Sequence, residues 1–272
     1  LISPSWIWPE CSPDSGLRKR TIAHIGKKGT QAHPARFTFD DINREKIQMT
    51  HKTLFITGAS SGIGEATARA AVASGWNVGL FARNTEKLVE IADDLGEAAV
   101  ALPGNATDFE AQEKALDLLA KEYGSVDAAF ANAGKGVSTM GTENADLGEW
   151  RKVVDLNVMG LLYTVKAALP HLKETKGHMV LTGSAAGRRH LKGSLYGATK
   201  WFVHGYGGNL AEEMRDWGGR CTVVAPGMVD TPFFEEPKPD KLQPQDVADA
   251  VMHALNADPR NDVREIFLMP TQ

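Results

Sequence analysis

From residue 50 onward the chain repeats one unit: a short, almost uninterrupted apolar run, then a longer amphipathic stretch. The apolar runs fall at 53–57 (TLFIT), 76–82 (WNVGLFA), 98–102 (AAVAL), 126–131 (VDAAFA), 177–183 (GHMVLTG), 220–225 (RCTVVA) and 265–269 (EIFLM). Helical patterns lie between them at 62–74, 84–95, 107–122, 146–169 and 194–216, with a shorter one near 244–256. A strand that is apolar on both of its faces must be covered on both, so these runs predict a parallel sheet with helices on each side. Right-handed crossovers then wind the chain into a doubly wound α/β sheet of about seven strands in a single domain, residues 49–272. No internal repeat, low-complexity tract or linker interrupts that stretch.

Residues 1–48 carry no sustained period of 2 or 3.6 and are broken repeatedly by Pro, Gly and basic residues. They are expected to form an irregular tail outside the fold. The chain begins with Leu1, and Met49 stands just before the first strand, so translation from upstream of a start at Met49 accounts for the tail. A targeting arm or a partner-binding tail is the alternative. A formal net charge of −4 over 272 residues gives no basic surface for nucleic acid or an anionic membrane. No run reaches the length expected of a membrane span, and no secretory signal pattern is present. Cys11 and Cys221 form no motif, which predicts no disulfide and a reducing, cytoplasmic setting. The eight histidines lack paired zinc spacing, so no metal is expected.

The sequence TGASSGIG (57–64) stands where the first strand turns into the first helix. Gly58, Gly62 and Gly64 permit a tight turn and a close backbone approach to a pyrophosphate, with Ser60, Ser61 and Ile63 completing the loop. The helix start that follows offers free N–H groups and the positive end of a dipole to phosphate oxygens. This is the arrangement of a Rossmann-like dinucleotide site, although the glycine spacing is GxxxGxG rather than GxGxxG. At the end of the second strand an acid would hold the ribose hydroxyls of NAD. Here LFARNTEKL offers Arg83 instead, and a guanidinium suits a ribose phosphate. NADP is therefore expected over NAD.

The sequence YGATK (196–200) places Tyr196 and Lys200 on one face of a helix, one turn apart. A free tyrosine titrates near 10, so a working base at neutral pH needs about 4 kcal/mol of preference for the phenolate. A neighbouring ammonium in a closed cleft is one source of it.

With TGASSGIG, ANAG (131–134), LNVMG (156–160), GSAAG (183–187), YGATK and APGMVDTPF (225–233) in this order, the chain resembles the short-chain dehydrogenase/reductase family over residues 50–272. The resemblance implies that Tyr196 is the general acid and base and that Lys200 lowers its pKa and holds the nicotinamide ribose. Ser184 would orient the substrate oxygen, and Asn157 would hold a water in a proton relay. Asn132, Ala133, Gly134, Pro226, Gly227, Val229 and Thr231 would lie along the cofactor, with Asn105 and Ala106 on its adenine side. Two positions depart from the usual pattern: Ala131 replaces an asparagine of NNAG, and Asn105 replaces an aspartate.

The expected activity is interconversion of a small hydroxy acid or alcohol with its ketone or aldehyde, most similar to the NADP-preferring 3-hydroxy acid and small alcohol dehydrogenases. An NADP-binding sensor or scaffold without turnover, and an epimerase or dehydratase on the same fold, are the alternatives. Arg188, Arg189 and His190 follow Ser184 closely enough to meet a substrate carboxylate. The segment PFFEEPKPDKLQPQD is too short for a lid over a large ligand. Apolar residues on several faces of helices 146–169 and 194–216 (Leu161, Leu162, Val165, Trp201, Phe202, Leu210) match a surface that the family pairs into homodimers or homotetramers.

Overall fold

Strand β1 (Thr53–Thr57) is buried along its whole length, as its uninterrupted apolar run requires. The computed structural model describes residues 51–139 and 141–271; the tail expected at 1–48 lies outside them. Seven parallel strands form one sheet in the order β3-β2-β1-β4-β5-β6-β7. The others are β2 (Asn77–Ala82), β3 (Ala99–Pro103), β4 (Ala128–Ala131), β5 (His178–Thr182), β6 (Arg220–Pro226) and β7 (Glu265–Leu268). Their bounds differ from the apolar runs by at most two residues at an end.

Because strand side chains alternate, each strand feeds two cores. Phe55, Phe81, Ala129, Met179, Leu181 and Val223 pack on one face with α3 (Phe109–Tyr123), α5 (Leu161–Thr175) and α6 (Leu195–Arg215). Leu54, Ile56, Val78, Leu80, Phe130, Val180 and Val224 pack on the other with α1 (Gly62–Ala73), α2 (Thr85–Leu95) and α7 (Pro244–Asn256). The chain leaves β1 in one direction for β2 and β3, then crosses back so that β4 pairs with the other edge of β1. That reversal opens a crevice at the carboxyl ends of β1 and β4, the place where doubly wound sheets take ligands.

The helical pattern at 146–169 resolves differently from its sequence reading. Helix α4 (Leu147–Val154) passes into a π-helical turn at Asp155–Gly160 and then into α5, which continues through Pro170 to Thr175. Pro170 removes one ladder hydrogen bond, but Ala167, Ala168 and Leu172 around it are buried, and that packing carries the helix on. Gly160, at the end of the π turn, gives its carbonyl to Gln112 Nε2 (3.2 Å) and Thr164 Oγ1 (3.0 Å), both side chains buried. Within Leu147–Thr175 an 18-residue window reaches a mean hydropathy of 1.3, so by length and composition this helix could cross a membrane, although the sequence reading found no such run. In this fold it packs Val153, Leu161, Val165, Ala168 and Leu172 into the protein.

Candidate active site

The phosphate cradle is built by glycines that have no room for a side chain. Gly58 (φ +69°) and Gly62 (φ +55°) adopt left-handed backbone that disfavours other residues. A Cβ on Gly64 would lie 2.2 Å from Gly58 O, so helix and turn touch backbone to backbone. Helices α2, α3, α4 and α6 each have a side-chain cap at the N-terminus, from Asn84, Asp108, Asp146 and Ser194. Ser61, at the start of α1, makes no such bond, which leaves the first N–H groups of that helix to a ligand. Ser60 and Ile63 sit partly exposed beside it. Arg83 is exposed directly after β2 and forms no ion pair among the described residues. A free guanidinium, an uncapped helix start and a turn of glycines fit a dinucleotide carrying a ribose phosphate.

Asn132 is a strut beneath this cradle. Its backbone N–H donates to Thr57 Oγ1 (3.1 Å), and its Nδ2 donates to Thr57 O (3.1 Å) and Gly58 O (3.4 Å). Its Oδ1 accepts from Thr182 Oγ1 at 3.2 Å, so one amide ties the ends of β1, β4 and β5 together. Ala133 N also donates to Thr57 Oγ1 (3.2 Å). Gly134 is exposed beside the catalytic candidates: a Cβ there would stand 3.4 Å from Asn157 Oδ1 and 3.9 Å from Lys200 Nζ. Asn105 closes its own turn by accepting from Thr107 N (3.2 Å), while Ala106 is buried with its carbonyl held by Gln112 Nε2 at 2.7 Å. After β6, buried Pro226 leads to Gly227, whose N–H donates to Leu268 O (2.7 Å). Val229 is buried, and Thr231 comes across to the cradle, where a Cβ on Gly62 would lie 3.1 Å from its methyl carbon.

Tyr196 lies in the first turn of α6, and the Ser194 cap accepts from Gly197 N at 3.0 Å. Ser184 stands at the end of β5 and its Oγ accepts from Ala186 N at 3.1 Å, leaving its own hydroxyl proton for another oxygen. Lys200 is buried; its Nζ donates to Thr182 O at 2.7 Å and lies 5.8 Å from the centroid of the Tyr196 ring. Burial pulls the Lys200 amine down to about 8. Burial also pushes the Tyr196 phenol up, with a hydrogen bond from Ser184 opposing it. The direction is thus opposite to the lowering expected from the Tyr–Lys spacing. The ammonium is directed at the Thr182 carbonyl, and desolvation favours the neutral phenol.

Asn157 sits in the π turn and is 2% exposed. Its Oδ1 accepts from Lys135 N and its Nδ2 donates to Lys135 O, both at 2.9 Å. Nδ2 also donates to Thr199 Oγ1 (3.2 Å), whose own proton goes to Tyr196 O (2.7 Å). One lone pair of Oδ1 is left over for a water. The side chain thus links the segment after β4 to the turn of α6 that carries Tyr196.

Of the candidate carboxylate binders, Arg188 is engaged by Glu265 and His190 stacks on Trp201 with ring centroids 5.4 Å apart. Arg189 is exposed, and its carbonyl accepts from Trp201 Nε1 at 3.3 Å. One aromatic neighbour of Tyr196 was missed in the sequence: Phe233 lies with its ring centroid 5.5 Å from that of Tyr196. It also covers Gly136, where a Cβ would meet its ring at 3.1 Å. Its signal was available, since Phe233 ends the APGMVDTPF motif. Thr57 and Thr199, which orient the named residues, likewise lie inside the TGASSGIG and YGATK motifs, whereas Thr182 lies in none.

The profile of the short chain dehydrogenase family matches residues 52–242. An uncharacterized oxidoreductase of Staphylococcus aureus (strain MW2) is 36% identical over 228 residues, covering 82% of this chain and 98% of that protein. The alcohol dehydrogenase of the archaeon Thermococcus sibiricus, solved with 5-hydroxy-NADP, is similar with a TM-score of 0.75 and 30% identity. That likeness covers 81% of this chain and 97% of the archaeal one. The serine dehydrogenase of Escherichia coli is similar with a TM-score of 0.74 and 30% identity, covering 81% of this chain and 99% of its own.

Proposed function

Because the chain belongs to the short-chain dehydrogenase family, we propose that it is an NADP(H)-dependent oxidoreductase interconverting a small hydroxy compound and its ketone or aldehyde. The observation that carries this reading is the meeting of Tyr196, Ser184 and Lys200 beside an uncapped glycine cradle whose neighbouring cation, Arg83, is unpaired. NADPH, when bound, supplies the hydride. Gly58, Ser60, Ser61, Gly62, Ile63 and Gly64 would hold its pyrophosphate through backbone N–H groups. Arg83 would pair with the ribose phosphate. Asn105 and Ala106 would flank the adenine side, and Ala133, Gly134 and the segment Pro226–Thr231 would flank the nicotinamide side, with Lys200 at its ribose.

The neutral phenol of Tyr196 suits proton donation to the carbonyl oxygen in reduction. Ser184 supports the same step: its oxygen is fixed by Ala186 N, so its proton is aimed at whichever oxygen enters. Lys200 brings positive charge near the Tyr196 ring, which stabilises the phenolate as it forms. Asn157 and Thr199 fix the helical turn under Tyr196 and so hold the donor in register. The aromatic wall of Phe233 next to the phenol, together with the commitment of Arg188 to Glu265, favours an uncharged substituent at that edge of the substrate. A cytoplasmic homodimer or homotetramer is part of the proposal. The groove between α5 and α6, lined by Val165, Leu169, Pro170 and Tyr206 and by the charged Lys166, Lys173 and Glu213, is the surface on which it would form.

Tyr196→Phe tests the reading. NADPH titrated by its fluorescence should bind as it does to the parent, while NADPH oxidation by a panel of small ketones and aldehydes, and NADP+ reduction by small hydroxy acids, should vanish. Retained turnover in that variant defeats the assignment.

A further inference from the structure

Four residues after Lys200, on the same face of α6, stands His204, with only 3% of its side chain exposed. It belongs to neither the cradle nor the proton donor. Its Nε2 lies 3.1 Å from the backbone oxygen of Ser184. A carbonyl only accepts, so Nε2 carries the ring proton and donates it. The same carbonyl accepts from Gly187 N at 2.9 Å, so both of its lone pairs are filled.

The turn closes around the ring. A Cβ on Gly183 would lie 3.0 Å from His204 Nε2, and one on Gly187 would lie 2.5 Å from its Cδ2. On the far side of the ring, Nδ1 lies 3.4 Å from Glu265 Oε1 with no hydrogen bond between them, and burial, which lowers the imidazole's pKa, favours the neutral ring, so His204 and Glu265 are neighbours rather than an ion pair. Glu265 is the first residue of β7, and Arg188, the last residue of the Ser184 turn, closes on it through Nε (3.2 Å) and a second guanidinium nitrogen. The charged groups facing the imidazole are therefore Arg188 from the turn, Lys200 from its own helix and Glu265 from β7.

We propose that His204 is a positioning residue: its bond to the Ser184 carbonyl, beside the Arg188–Glu265 pair that straps the same turn to the edge strand β7, fixes where the Ser184 hydroxyl points. This rests on the reading of Ser184 as the hydroxyl that orients the substrate oxygen. Gly187 N would satisfy the Ser184 carbonyl without His204, so the second donor adds direction rather than mere saturation. Displacement of a catalytic hydroxyl by a fraction of an ångström weakens its bond to the reacting oxygen much more than it weakens the fold. The cofactor cradle lies on other strands and is untouched by the strap.

The test is a set of variants assayed with NADPH and diacetyl, a small electron-poor diketone, beside other carbonyls found active in the panel. His204→Leu should lower kcat about tenfold or more while the NADPH dissociation constant stays within about twofold. His204→Gln, which keeps a donor at the Nε2 position, should recover most of that loss. Placed in a Ser184→Ala background, His204→Leu should cause almost no further loss of the residual turnover, because a residue acting through that hydroxyl has nothing left to position. Equal fold losses with and without Ser184, no loss in His204→Leu, or a His204→Gln variant as poor as His204→Leu would each overturn the proposal. Full turnover in Ser184→Ala alone would instead defeat the role given to Ser184, and the strap's catalytic meaning with it.

Discussion

Acid should destabilise this protein through one buried imidazole. His178 begins β5 and is 2% exposed. Thr222 has a single hydroxyl proton, which it gives to Val263 O, so it accepts from His178 Nε2 at 2.7 Å. The other ring nitrogen, Nδ1, has no partner. A second proton there would be a buried, unpaired cationic N–H. Desolvation first, then the charges of Arg220 and Lys52, push the pKa from 6.5 to about 3. The folded chain thus keeps a neutral ring while the unfolded chain takes up a proton. The stability tied to His178 is complete above pH 6.5 and is lost as pH falls from 6.5 towards 3. Each unit within that window removes about 1.4 kcal/mol, so the step from pH 7 to pH 5 removes about 2 kcal/mol. Urea unfolding followed by circular dichroism at both pH values measures this for the parent and for His178→Gln, which keeps a donor for Thr222 but cannot titrate. The other ionisable groups are common to both chains and cancel in the comparison. The parent should lose about 2 kcal/mol more than the variant over that step. Parallel losses would refute the claim that this ring is locked neutral.

Arg83→Ala should raise the KM for NADPH at least about tenfold while changing that for NADH little, since only NADPH offers the extra phosphate; equal changes would argue that Arg83 does not read it. Gly64→Ala should abolish NADPH binding, measured by fluorescence titration, because its Cβ would stand 2.2 Å from Gly58 O and must drive α1 off the cradle. Lys200→Met should end turnover yet make the fold more stable. Holding the buried charge against a pKa of about 8 costs about 3 kcal/mol, partly offset by the bond to Thr182 O, for a net gain of about 1–2 kcal/mol in urea unfolding. Turnover near the parental level, or a clear loss of stability, would count against that account.

The strands were legible because the runs of β1, β2, β4, β5 and β6 are apolar enough to be covered on both faces, a use few other structures make of such a run, while the edge strands β3 and β7 are only partly covered. The cradle was legible because only glycine fits Gly58 and Gly62, where the backbone is left-handed. Tyr196 and Lys200 were legible from helical spacing alone. The continuous helix read at 146–169 failed because local pattern cannot show a π turn, which is held open by Gln112 and Thr164 gripping the Gly160 carbonyl. The carboxylate role considered for Arg188 weakened for a similar reason: its partner, Glu265, is 77 residues away. His204 could have been suspected from its place one turn beyond Lys200, but its target is a backbone oxygen that no sequence pattern marks.

The sequence by itself determined the layered sheet, the glycine turn after β1 and the placing of Tyr196 and Lys200 on one helix face. Those follow from periodicity, steric freedom and spacing within a few residues, all of which are local. Only the tertiary structure decided which polar atoms are already engaged: Asn132 bracing three strands, Asn157 bound to Lys135, Lys200 turned to Thr182, and the Ser184 carbonyl bound by His204. Each of those partnerships joins residues brought together by strand register and helix packing. The chemistry of a side chain fixes what it is able to bind, and the register of the sheet fixes what it does bind.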